Sequence, residues 1–105
     1  MILPKERKTK MNKLHNDETD ELFKAILQLQ SVEECYNFFE DLCTVTELLS
    51  MGQRLRVAKM LKENHVYTDI AEKTGASTAT ISRVNRALQY GNGGYDTILS
   101  RLEEK

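Results

Sequence analysis

A chain of 105 residues has room for one domain with a modest core, so pairing with a second copy is open from the outset. Its composition, 40% hydrophobic and 30% charged with no tryptophan and a single proline at Pro4, is that of an ordinary soluble protein whose helices can run unbroken beyond the N-terminus. No apolar run approaches the roughly 18 residues of a membrane span, and MILPKERKTKMNK has no apolar stretch behind its basic residues, which argues against a secretory signal or a membrane partner and for the cytoplasm.

The net charge of −1 hides a division along the chain. Residues 1–16 are basic, with Lys5, Arg7, Lys8, Lys10 and Lys13 against Glu6, and read as a flexible tail outside the fold, within which Met11 offers an alternative start. Residues 17–50 are acidic, opposed only by Lys24, and residues 51–90 turn basic again, with Arg54, Arg56, Lys59, Lys62, Lys73, Arg83 and Arg86 against Glu63, Asp69 and Glu72. Such asymmetry suggests that one half meets a polyanion.

Residues 17–105 read as one helical domain. From Asp17 to Gln30, Leu22, Phe23, Ile26, Leu27 and Leu29 share one side of a 3.6-residue period, with acids in the first turn where the helix dipole favours them. Ser31 and Glu34 have the spacing of a capping box, opening a second helix whose stripe is Val32, Cys35, Tyr36, Phe39, Leu42 and Cys43. Thr44 and Glu47 repeat the signature ahead of a longer helix that ends near Asn64. Within it Gly52 costs about 1 kcal/mol relative to alanine unless a close helix contact needs the space. Two short helices follow over Tyr67–Thr74 and Ser77–Tyr90, then a glycine loop at 91–94, then a last helix striped by Tyr95, Ile98, Leu99 and Leu102. No strand-like alternation competes, and the fold class is all-α with six helices.

The stretch YTDIAEKTGASTATISRVNRAL, Tyr67 to Leu88, fits a helix-turn-helix occupying about residues 67–90. Ala71 supplies the small residue where two backbones approach, Gly75 the residue tolerant of positive φ, and Ile70, Ile81 and Val84 the apolar wedge. The outer side then holds the candidate DNA-binding residues. Thr78 and Ala79, with Ala76 and Ser77 just ahead of them, lie at the helix start, and the small side chains of Thr78 and Ala79 can touch thymine methyl groups or edge donors in the major groove. Lys73, Thr80, Ser82 and Arg83 are better placed for phosphates.

The run GASTATISRVNRAL, with GQRLRVAKML from Gly52, resembles the Trp repressor family, most closely its YerC/YecD-like branch, which the segment ECYNFFEDLCT from Glu34 to Thr44 favours over the repressor proper. The resemblance covers about Asp17 to Leu102. It implies a six-helix fold in an intertwined homodimer, with the first, second, third and last helices interlocked and two helix-turn-helix heads facing successive major grooves of double-stranded DNA. The implied activity is that of a sequence-specific transcriptional regulator, a repressor on a palindromic operator. The extensive apolar faces of Asp17–Gln30, Ser31–Cys43 and Tyr95–Arg101 agree, because they exceed what one small core can bury.

By the same resemblance a small-molecule effector pocket would involve Arg54, Arg83, Val84 and Ala87. Val84 stands where the repressor has glycine and Ala87 where it has serine, so the pocket is crowded and lacks a polar contact, which argues against tryptophan. Two other readings stay open: a helical protein-interaction module without specific DNA binding, and a regulator gated by some other small molecule. His15 and His65 lack metal-ligand spacing with Cys35 or Cys43, which read as reduced thiols roughly 12 Å apart if one helix carries both. No nucleophile and base pair is evident, no cofactor is implied, and the chain does not read as an enzyme.

Overall fold

The computed structural model describes residues 13–104. The basic tail expected over 1–16 therefore lies mostly outside the described residues. All regular structure among them is helical: α1 (Asp17–Ile26), α2 (Val32–Leu42), α3 (Val45–Lys62), α4 (Tyr67–Thr74), α5 (Thr78–Tyr90) and α6 (Gly94–Glu103). Among the described residues the six-helix, all-α expectation holds. The chain divides into two units, one ending at Leu42 and the other beginning at Cys43.

In the first unit, Asn16 starts α1 by accepting the Thr19 N–H through its side chain at 2.8 Å, satisfying one of the orphan donors of the first turn. The helix ends four residues before the expected Gln30, because Gln28 and Leu29 donate to carbonyls three residues back, those of Ala25 and Ile26, and tighten the chain out of the α-helical pattern. At the start of α2 the hydroxyl half of the expected box is present, with Glu34 N–H donating to Ser31 Oγ at 3.0 Å. The carboxylate reaches one residue further back than expected, accepting from Gln30 N–H at 2.8 Å. Neither helix has a buried residue. Phe23, Leu27, Val32, Tyr36 and Leu42 are all at least half exposed. Cys35 in this unit and Cys43 in the second are free thiols, each partly buried.

The second unit has the core. Thr44 and Glu47 form the complete reciprocal capping box, with bonds of 2.8 and 3.1 Å. The other end of α3 closes on Asn64, held at φ 70°, with Asn64 N–H donating to Leu61 C=O and His65 N–H to Met60 C=O. This is the paired bonding that terminates a helix through a left-handed residue. Between the two caps, α3 presents Val57, Ala58 and Met60 to α4, α5 and α6, which all pack on it. Ile70, Ala76, Ile81, Val84 and Leu99 complete the buried set. Ile70, Ile81, Val57 and Val84 are almost wholly excluded from water, and each contributes roughly 1.5–3 kcal/mol by burial.

Two glycines shape this unit. Gly75 stands at φ 77°, the left-handed conformation that closes α4. A Cβ at Gly91 would sit 2.5 Å from the Ala87 carbonyl oxygen, so only glycine can end α5 there. Helix α6 is anchored by Leu99 and by the ion pair of Lys62 Nζ with Asp96 Oδ1 at 2.7 Å, while Ile98 and Leu102 remain exposed.

Gly52 has no such role, since a Cβ there would meet nothing within 4 Å. Gly52→Ala is accordingly expected to raise stability by about 1 kcal/mol through helix propensity. The check is the urea midpoint. An unchanged or lowered midpoint would reveal a close contact that a single chain lacks.

Candidate nucleic-acid interface

Helices α4 and α5 pack on one another and are joined through Gly75, Ala76 and Ser77. The apolar wedge is in place: Ile70 and Ile81 are fully buried and Val84 is 1% exposed. Ala71 packs against the same cluster at partial exposure.

Ser77 starts α5, its Oγ accepting the Thr80 N–H at 3.1 Å and donating to Thr80 Oγ1 at 3.1 Å. That anchorage leaves Ser77, Thr78 and Ala79 exposed on the first turn of α5. Thr80 and Ser82 are half-buried, and Arg83 is exposed. A helix start rimmed by small side chains has the shape and the backbone donors that a groove edge and a phosphate require.

Ala76 belongs elsewhere. Expected among the DNA-binding residues, it is 5% exposed and packs in the core. The left-handed turn at Gly75 swings the chain so that position 76 faces inward, and the residues open to a partner begin at Ser77. Val84 is likewise a core residue, which removes it from any open pocket; Ala87 is exposed and apolar, and Arg54 is partly buried.

The cations fall into two groups. Lys62 is paired with Asp96, and Lys73 Nζ lies 3.7 Å from Asp69 Oδ1. Arg54, Arg56, Lys59, Arg83 and Arg86 form no ion pair among the described residues. The expectation at Lys73 is thus qualified, because an intrahelical carboxylate competes for it. Arg83 and Arg54 carry charge that the fold does not neutralise.

At the start of α4, His65 Nδ1 donates to Asp69 Oδ2 at 2.7 Å, and Glu63 Oε1 lies 3.6 Å from the opposite ring nitrogen. The His65 hydrogen bond holds the Asp69 carboxyl below its ordinary range; partial desolvation opposes this and Lys73 reinforces it. A carboxylate whose folded value is depressed stabilises the fold above its unfolded value, and that stability is lost as pH falls through the folded value. Asp69→Asn is therefore expected to make the loss of stability between about pH 5 and pH 3 shallower than in the wild type, read from urea unfolding at each pH. Identical acid limbs would remove Asp69 from the account.

One polar contact escaped the sequence reading altogether. Gln53 Nε2, from α3, donates to the Thr74 carbonyl at 3.1 Å. Its partner is 21 residues away, so no local pattern announces it. Among the described residues no group of three or more histidine, cysteine or acidic side chains is placed to hold a metal ion, and no helix is long and apolar enough to cross a membrane.

Known proteins resemble this chain over nearly its whole length. The sequence profile of the Trp repressor protein family matches residues 17–103. The uncharacterised protein YerC of Bacillus subtilis strain 168 is 54% identical over 94 residues, 90% of each chain. Among solved structures, a TrpR-like protein from Eubacterium eligens ATCC 27750 superposes with a TM-score of 0.86 at 60% identity, covering 89% of this chain and 96% of that one. A Staphylococcus aureus protein provisionally designated a Trp repressor gives 0.84 at 56% identity, with 89% and 93% covered.

Proposed function

From the premise that the chain belongs to the Trp repressor family, we propose that it is a sequence-specific DNA-binding regulator, acting as a homodimer that represses by occupying a two-fold-symmetric operator. The observation that carries the reading is the exposed first turn of α5, seated on a buried wedge and flanked by arginines with no acidic partner among the described residues. In this arrangement Thr78 and Ala79 meet base edges, and the Ser77 end of α5 approaches the backbone. Thr80, Ser82, Arg83 and, where Asp69 releases it, Lys73 contact phosphates. Arg54 from α3 and Arg86 from α5 add phosphate contacts.

The homodimer rests on a separate observation. Neither α1 nor α2 buries a residue, and Val45, Leu49, Ile98 and Leu102 also stand exposed. So much apolar surface is covered in solution, and a second copy of the same chain with the same stripes is a self-complementary partner. Two heads related by a dyad would address half-sites roughly 34–36 Å apart.

Tryptophan is not the effector in this reading. Val84 fills its place in the core and Ala87 offers no polar group, so Arg54 and Arg83 serve phosphate, and DNA binding reaches full strength with no amino acid added. The test is a selection from random duplex DNA with the purified protein, with and without tryptophan. An enriched palindrome indifferent to tryptophan is the expected result. A pool with no dyad-symmetric enrichment would defeat the regulator reading.

A further inference from the structure

The hydrogen bonds that shape the α4–α5 turn are local, save one. Gly75 N–H donates to Ala71 C=O at 2.9 Å, Thr74 Oγ1 donates to Ile70 C=O at 2.7 Å, and Ala76 N–H donates to Thr74 Oγ1 at 3.1 Å. None of these reaches beyond four residues, so together they define the form of the turn but not its attitude to the rest of the unit. The exception is the bond from Gln53 Nε2 to Thr74 C=O. Thr74 is the last residue of α4, and its carbonyl is among the last four, which receive no N–H from within the helix. The amide therefore satisfies an orphan acceptor at the negative end of the helix dipole. It also lies against the turn itself, 4.0 Å from where a Cβ on Gly75 would be.

The packing of α3 on the head is apolar, through the buried cluster that holds Val57, Ala58, Ile70, Ile81 and Val84, and the His65–Asp69 hydrogen bond acts at the first turn of α4, the opposite end of that helix from Gly75. Burial of that kind is strong but non-directional, and tolerates a small rotation of one helix on another. A hydrogen bond weakens steeply as its angle departs from linear, and so does not. We infer that Gln53 is a positioning residue: it fixes the attitude of the turn to α3, and through the turn the direction in which α5 presents Thr78 and Ala79. Because Arg54 is the next residue on α3, one short segment then sets the spacing between a phosphate anchor and the reading helix.

The role rests on the DNA-binding reading, and the test separates the two. Gln53→Met keeps the length and removes the donor; Gln53→Glu keeps length and polarity but sets a second acceptor against the carbonyl. Three quantities are read for each folded variant: affinity for the selected operator, affinity for unrelated duplex of equal length, and the orientation of α5 relative to α3 in DNA-free protein from residual dipolar couplings. One neutral hydrogen bond corresponds to about a fivefold change in affinity per head. The expected result is that loss on the operator, less than twofold on unrelated duplex, and a changed or averaged α5 orientation. A merely structural residue would weaken both affinities together. Unchanged couplings overturn the inference, and so does an unchanged ratio of operator to unrelated binding. Should the wild type prefer no sequence, the DNA reading falls, and the couplings still decide whether Gln53 holds α5 in place.

Discussion

Ile81→Ala is expected to lower the free energy of unfolding by about 2–5 kcal/mol, the range for truncating a fully buried branched aliphatic side chain. Ile81 has no exposed surface and belongs to the buried cluster shared by α3, α4, α5 and α6. Its removal leaves a void bounded by Ile70, Val57 and Val84, residues on three different helices that cannot all relax inward at once. The core is small, eight residues in the described chain, so the loss is a large part of what a domain of this size commands. Function falls with it, because the same residue seats the exposed turn that begins at Ser77. Urea unfolding at fixed protein concentration measures the effect, and fixed concentration matters if folding and dimerisation are linked. A loss under 1 kcal/mol would mean that α5 is not held by this wedge.

Much of this arrangement is visible in the residues alone, and the limits of that visibility are physical. Helix starts are legible because a cap is a local chemical event: Thr44 and Glu47 announce their box by identity and spacing, and the structure has both bonds. Helix ends are less so. Leu27 and Leu29 continue the stripe of α1 beyond its last residue, because apolar side chains pack on a turn as readily as on a helix, and periodicity records only the preference for burial. The wedge of Ile70, Ile81 and Val84 is legible, since a branched residue before the glycine and a branched i, i+3 pair after it have few other uses. Ala76 is not, because a small residue beside a tight turn can face either way, and the choice is made by the backbone at Gly75. Gln53 is the extreme case. Its partner is a backbone carbonyl at the far end of another helix, and carbonyls carry no sequence identity.

Binding to duplex DNA is expected to fall roughly a thousandfold between 50 and 200 mM salt, and Arg83→Ala to flatten that dependence. Arg54, Arg83 and Arg86 reach no carboxylate among the described residues, so each is available to displace one condensed counterion. Three such contacts per protomer make six per dimer, and six give a slope of log K against log salt near −5. Lys62 is left out of that sum because Asp96 pairs with it at 2.7 Å, and Lys73 because it reaches phosphate only where Asp69, 3.7 Å away, releases it. Removing Arg83 deletes two contacts from the dimer, so the slope should become shallower by about 2 on unrelated and operator duplexes alike. Thr78, uncharged and exposed, gives the opposite signature: Thr78→Ala should leave the slope as it is and weaken only the operator, by about 1–3 kcal/mol if it reads a base edge. The chain is nearly neutral as a whole, with a net charge of −1, so diffuse attraction cannot supply a steep slope. A slope made shallower by about 2 on replacing Arg83 therefore locates the contact on α5, whereas a flat slope in the wild type would mean that these arginines meet no phosphate.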